Sequence, residues 1–195
     1  MVLKVRKNIP LKHYSTYKIG GPAKYFIKVK NGKELKEAIN FCQENNLKFF
    51  ILGGGSNVLF SDKGFNGLII KMENKGFRLL ENNKLFVEAG CEMEKIVRET
   101  VKRGLSGLEW AGGLPGTVGG AIRGNAGAFG GEIKDVVEKV IAFSPNENKE
   151  KEYSKEECQF EYRSSIFKKE KEIVISAILS LKGGDPKELK RKVKE

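Results

Sequence analysis

Apolar positions recur along this chain with two periods, and each period predicts a different element. In GKELKEAINFCQENN, from Gly32 to Asn46, residues Leu35, Ala38, Ile39 and Cys42 share one face of a 3.6-residue repeat, which predicts an amphipathic helix. MEKIVRETVKRG, from Met93 to Gly104, predicts a second helix stopped by its glycine. Short apolar runs predict strands in KYFIKV (Lys24 to Val29), KFFIL (Lys48 to Leu52) and GLIIKM (Gly67 to Met72). KGFRLL and KLFVEAG read as two more, on either side of an Asn82-Asn83 turn. VVEKVIAFS (Val136 to Ser144) and EIVISAILSLK (Glu172 to Lys182) complete the set. Strands and helices alternate first and strands dominate later, so the fold class is α+β in two subdomains. The organisation expected is an arm over 1–20, then one domain over 21–184 whose subdomains divide at about 21–75 and 76–184.

The end of the chain, 185–195, starts a helix well. Asp185 is an acidic N-cap, Pro186 takes the first helical position and Glu188 the third. KELKRKVKE then offers only Leu189 and Val193 as apolar residues, too few to dock it firmly. The expectation is a frayed terminal helix or one leading into a further C-terminal domain.

Composition narrows the class. The 195 residues are 39% hydrophobic and 31% charged, as in a soluble globular protein with a real core. No apolar run approaches a membrane span and Met1 opens no signal-peptide core, so a cytoplasmic protein without membrane insertion is expected. Cys42, Cys91 and Cys158 are far apart, odd in number and outside any CxxC pairing, which reads as packed reduced thiols. A single histidine, His13, disfavours a histidine metal site or a Ser-His-Asp triad, and no metal is expected. The net charge of +11 raises nucleic-acid binding. Against it, the lysines alternate with glutamates in NENKEKEYSKEE (Asn146 to Glu157) and KKEKE (Lys168 to Glu172), the pattern of a solvated surface. A basic balance suits a polyanionic small molecule better.

Glycine supplies the chemistry. Eleven of the 23 glycines lie between Gly104 and Gly131, and a second cluster, Gly53-Gly54-Gly55-Ser56-Asn57, follows the Lys48 strand. Glycine is entropically costly to order, so such clusters mark sharp turns or close approach to something bulky. GGGSN can aim several backbone N–H groups at an anion, with Ser56 and Asn57 adding side-chain donors. It is neither a Walker A loop nor GxGxxG, and a purely structural turn is the competing reading. In the second cluster, Gly113-Leu114-Pro115-Gly116-Thr117 reads as a loop breaking into a short helix. Pro115 stands at its first position, leaving the N–H groups of Gly116, Thr117 and Val118 for an anion. Gly119 and Gly120 would admit a ligand or a neighbouring strand, and Asn125, Gly127 and Ala128 continue a low surface. The two loops read as two walls of a site for a large phosphate-bearing ligand. A third feature is Arg163, among Phe160, Tyr162, Phe167, Ser164 and Ser165. A guanidinium in apolar surroundings offers a rigid fork to a carboxylate or oxyanion, the alternative being an ion pair with Glu161 or Glu157.

In order, STYKIGGPA (Ser15 to Ala23), LGGGSNVLFSD (Leu52 to Asp62), GLPGTVGGA followed by NAGAFGGE (to Glu132), and EYRSSIFK (Glu161 to Lys168) resemble the UDP-N-acetylenolpyruvoylglucosamine reductase family. The resemblance covers nearly the whole chain. It implies an FAD-binding domain of the PCMH (vanillyl-alcohol-oxidase) type, with the flavin between two α+β subdomains. Gly53 to Asn57 would hold the FAD pyrophosphate, and Gly112 to Gly120 with Asn125 to Ala128 would line its other side. In the family NADPH reduces FAD, and the flavin passes hydride to the enolpyruvyl carbon of a UDP-sugar to give UDP-N-acetylmuramate, a cell-wall precursor. Arg163 matches the family's catalytic arginine, and Tyr162 and Phe129 would flank the substrate. The implied partner is that UDP-sugar alone, with no nucleic acid and no obligate protein partner. Arg123-Gly124 departs from the more apolar residues usual in the family. The family's later SAGSxFKNP-like motif, with its proton-donating serine, and its late glutamate do not occur here. The expectation is therefore the FAD-binding portion of a C-terminally truncated member. A flavin-binding module without turnover, or another FAD oxidoreductase of the same fold, are the alternatives.

Overall fold

The computed structural model describes residues 4–193, which fall into two compact units, one ending at Asn74 and the other beginning at Lys75. The expected arm and terminal helix lose only positions 1–3 and 194–195, which lie outside the described residues.

The first unit is a four-stranded sheet backed by one helix. Strands β1 (Arg6–Pro10) and β2 (Pro22–Val29) pair antiparallel, and a short 3₁₀ turn at Leu11–Tyr14 separates them. Helix α1 (Gly32–Glu44) leads to β3 (Phe49–Leu52), and β4 (Phe65–Met72) inserts between β2 and β3, parallel to both. Leu68, Ile69 and Ile70 of β4 are all fully buried, as expected of a central parallel strand covered on both faces. The α1 stripe Leu35, Ala38, Ile39 and Cys42 is buried as its spacing predicts, and Asn31 caps the helix by accepting from the Glu34 amide. The N-terminal segment is not a detached arm: Leu11 is fully buried against Ala23, Phe26, Leu52 and Ile69, which anchors β1 at the sheet edge.

The second unit is built on a five-stranded antiparallel sheet. Its strands are β5 (Phe77–Leu79), β6 (Lys84–Glu88), β10 (Val137–Ser144), β11 (Lys149–Ser154) and β12 (Ile173–Ser180), in the order β11-β10-β12-β6-β5. Asn82 and Asn83 both have positive φ in the β5–β6 turn, the requirement of a tight hairpin. Helix α2 (Met93–Lys102) ends where Gly104 turns left-handed at φ 67°, and a short β7 (Leu105–Ser106) follows. A 3₁₀ turn at Glu109–Ala111 precedes helix α3 (Val118–Arg123) and the small hairpin β8 (Gly127–Ala128) and β9 (Gly131–Glu132). Then come β10 (Val137–Ser144), β11 (Lys149–Ser154), the one-turn helix α4 (Ile166–Lys169), β12 (Ile173–Ser180), β13 (Lys182–Gly183) and helix α5 (Pro186–Lys192).

One sequence expectation gains an element here and another changes. The charged run after Asn146, read as solvated surface, contains the edge strand β11. Its lysines and glutamates keep the edge polar, Lys139 on β10 pairs with Glu152 at 2.7 Å, and Tyr153 packs edge-on to Phe167. The terminal helix is docked, not frayed: Leu189 is 3% exposed, and α5 packs on α2 and the Glu109–Ala111 turn with Asp185 capping the Lys187 amide. One well-seated leucine and a good cap suffice where two apolar residues looked too few. Among the described residues no helix is long and apolar enough to cross a membrane.

Candidate functional site

In the first unit, β3 runs directly into the Gly53–Asn57 loop. Gly55 is buried with φ 79°, and a Cβ there would stand 1.9 Å from the Tyr14 carbonyl oxygen, so this glycine is dictated by packing against the Tyr14–Ser15 backbone. The Gly55 carbonyl accepts from Thr16, and the Lys71 ammonium reaches the Gly53 carbonyl. Gly54 and Asn57, by contrast, are exposed, and Ser56 is half-buried. The loop thus has an inner side that fixes its shape and an outer side available to a ligand. Tyr17, Ile19 and Leu59 are exposed large hydrophobics in the same unit.

The second glycine loop is organised by pairing rather than by a proline-started helix. Helix α3 begins at Val118, so Pro115 is not its first residue. Segment 89–93 lies antiparallel to 116–119: Met93 N–H donates to Gly116 O, Val118 N–H to Cys91 O and Gly119 N–H to Ala89 O. The Val118 amide is therefore used internally, contrary to the sequence expectation. Gly119 also serves packing, since a Cβ would stand 2.7 Å from that of Ala89. What remains open is Gly113, at φ 74° with nothing within 4 Å of a Cβ, and Gly120, exposed with its nearest neighbour at 3.6 Å. Leu114 packs on the core and Pro115 is exposed. Among the described residues, no protein acceptor stands at the Gly54, Gly116 or Thr117 amides.

Asn125 is not part of a low exposed surface. It is 1% exposed, and its side chain donates to Glu161 O at 2.9 Å and accepts from the Lys134 amide at 3.3 Å. The hairpin beyond it turns on Phe129 (φ 50°) and Gly130 (φ 81°), which leaves Phe129 88% exposed at the tip. A bulky residue at positive φ is strained, and such strain is held where the side chain must project. Trp110 supports the hairpin from below: a Cβ on Gly131 would stand 2.4 Å from the indole. Sequence reasoning missed this role, although a lone tryptophan beside a glycine-rich stretch was the available signal.

Arg163 sits on a tight turn closed by mutual bonds between Glu161 and Ser164, itself at φ 54°. Its surroundings are not apolar. The residue is exposed, its guanidinium donates to Gly127 O at 3.0 Å and lies 5.8 Å from the centroid of the equally exposed Tyr162 ring. The alternative ion pairs are not formed either, because Glu161 pairs with Lys169 and Glu157 accepts from the Ser154 amide. Phe167 belongs to the core and Ser165 is fully buried, donating to Arg123 O. The second unit thus brings Phe129, Tyr162, Arg163, Gly127 and the buried Asn125 to one neighbourhood of two turns.

A different cavity, about 340 Å³, opens beside β11 and is lined by Glu147, Lys151, Tyr153, Glu170 and Glu172 among others. Its buried Glu172 already accepts from the Tyr153 hydroxyl and pairs with Lys151. Burial and this carboxylate push the Tyr153 phenol upward and keep it protonated. Those three groups bond to one another, and none of the glycine-loop residues lines the cavity.

A family model described as an FAD binding domain matches residues 23–147. The UDP-N-acetylenolpyruvoylglucosamine reductase of Carboxydothermus hydrogenoformans is 45% identical over 194 residues, 98% of this chain and 63% of that protein. The crystal structure of the corresponding reductase from Thermus caldophilus superposes with a TM-score of 0.82 at 32% identity, covering 99% of this chain and 68% of that one. A solvent-stable cholesterol oxidase superposes with a TM-score of 0.69 at 14% identity, over 93% of this chain and 37% of that one, a likeness of fold alone. The chain spans about three fifths of the length of the curated relatives it matches.

Proposed function

We propose, from the premise that the chain belongs to the FAD binding domain family and within it to the UDP-N-acetylenolpyruvoylglucosamine reductases, that it is the FAD-holding part of such an NADPH-consuming reductase. The observation that carries this is the Gly53–Asn57 loop of the first unit, where the exposed Gly54 has an amide that meets no protein acceptor among the described residues. Unpaired amides on glycine turns fit the phosphates of a dinucleotide, because a side chain would block the backbone from approaching. The residues present therefore fit FAD. Gly53 to Asn57 in the first unit would take the pyrophosphate; in the second unit, taken by itself, Gly113 and Gly120 leave a bare backbone face of the kind a flat ligand needs. Asn125, with its side chain spent on Glu161 and Lys134, would act from behind this surface rather than as a contact.

When bound, FAD supplies the relay of hydride from NADPH to the enolpyruvyl carbon of a UDP-sugar. The protein's part is binding and charge. The exposed guanidinium of Arg163 meets the substrate carboxylate, on which negative charge grows as hydride arrives, and a fixed cation lowers the cost of that charge. Phe129 and Tyr162, exposed on adjacent turns, would close around the sugar nucleotide as aromatic walls. The three cysteines are free and buried, which accords with a reducing, cytoplasmic compartment.

Titration with FAD and with riboflavin, followed by flavin fluorescence, tests the reading. The wild-type chain should prefer FAD, and Gly54→Val should weaken FAD at least tenfold while leaving riboflavin unchanged. Equal FAD affinity in Gly54→Val would remove the loop from the site.

A further inference from the structure

Three alternate residues of one segment each hold one alternate residue of another. Arg123 O accepts from Ser165 Oγ at 2.8 Å, Asn125 Nδ2 donates to Glu161 O at 2.9 Å, and Gly127 O accepts from the Arg163 guanidinium at 3.0 Å. Residues 123–127 thus form a three-rung side-chain ladder with the turn at 161–165. Two rungs are sealed, with Ser165 fully buried and Asn125 1% exposed, while the third opens to solvent at Arg163. The turn is narrow, closed by Glu161 N–H to Ser164 O at 3.1 Å and Ser164 N–H to Glu161 O at 3.2 Å. Two lysines of α4 hold its outer side, Lys169 on the Glu161 carboxylate and Lys168 on the Arg163 carbonyl.

We infer that Asn125 and Ser165 are positioning residues that lock the Arg163 turn in register with the Phe129 hairpin, so that the guanidinium is aimed before any ligand arrives. The inference rests on the role of Arg163 proposed above. Its physical basis is the exposure of that side chain. A long cation in water samples many rotamers, and ordering it at the moment of reaction costs entropy. Fixing the backbone at left-handed φ and one guanidinium nitrogen on Gly127 O removes much of that freedom in advance. Asn125 is suited to its rung because an amide is at once donor and acceptor. It gives its Nδ2 proton to the turn and takes the Lys134 amide on Oδ1, so one residue joins three segments. Ser165 belongs to this scaffold, and its buried hydroxyl is committed to Arg123 O.

Amide hydrogen exchange at Glu161 and Ser164 tests the ladder in this chain without any ligand. Asn125→Ala should speed both amides about tenfold, with β10 and β12 unchanged, as expected for one lost hydrogen bond. Arg163→Ala, an exposed change that leaves the core intact, should speed the same two amides. Asn125→Asp should be fast at neutral pH, where a carboxylate has no proton for Glu161 O, and regain protection on acidification, when the acid can donate again. Simple loss of packing would not show that reversal. Unchanged exchange in Asn125→Ala and Arg163→Ala would overturn the ladder, as would loss of FAD from Asn125→Ala with the turn still protected, which would make Asn125 a cofactor contact. A wild-type chain that takes up no FAD would sink the functional reading instead, and the exchange rates tell the two failures apart.

Discussion

Arg163 combines three properties rarely found together: exposure, a left-handed backbone and a hydrogen bond from its guanidinium to a backbone carbonyl. An arginine kept only for solubility needs neither the strain nor the tether. Arg163→Ala in a whole FAD-loaded reductase should therefore keep its flavin and lose turnover by about a hundredfold or more, the scale of one removed transition-state donor. Steady-state rates with the flavin spectrum as control check this, and loss of flavin would refute the assignment. Sequence made the residue type legible through EYRSS, but neither its turn nor its surroundings. The aromatic neighbours divide, Phe167 inward and Tyr162 outward, and a linear string does not say which. The thiols make a second residue-scale prediction. Burial pushes Cys42 up to about 11 and Cys158 up to about 12, above an ordinary thiol near 8.5. Raised folded-state values mean the neutral thiol is favoured in the folded protein. That contribution is complete below about pH 8.5 and is lost as pH rises toward the folded values, at up to ~1.4 kcal/mol per pH unit for each thiol. Urea midpoints across this range should fall more steeply for wild type than for Cys42→Ala; parallel slopes would contradict it.

At the scale of elements, periodicity located both long helices and most strands, because each buries one face and the face writes its period into the chain. It failed where burial is not what holds the element. β11 is an edge strand stabilised by its partner β10 and by cross-strand ion pairing, so its charges read as solvated surface and did not signal a strand. The start of α3 was misplaced for a related reason: its first amides are taken by the 89–93 segment, a tertiary pairing that no local cap signals. Helix α5 shows how little apolar surface docking requires when the cap is good. Leu189→Ala should cost about 2–4 kcal/mol in the second unit, and Asp185→Ala about 1 kcal/mol. Denaturant titration of both variants measures these, and a Leu189→Ala change within experimental error would mean that α5 is not seated on α2. Val193 touches Gly112, so release of α5 should also loosen the Gly113 loop and weaken flavin in the same variant.

The whole molecule is strongly basic, at +11, and some of its lysines pair with glutamates, as in Lys28–Glu73, Lys84–Glu138 and Lys151–Glu147. The surplus cation suits an anionic small molecule. Four ordered motifs carried the family assignment, and in the first unit the amide of the exposed Gly54 meets no protein acceptor among the described residues. The reading stands or falls on whether the chain holds FAD. The most direct measurement is the visible absorption spectrum of the purified chain after incubation with FAD and gel filtration. Flavin bands should travel with the protein, shifted from those of free FAD, and be absent from Gly54→Val prepared alongside. A folded, colourless wild-type chain that refuses FAD under these conditions would contradict it.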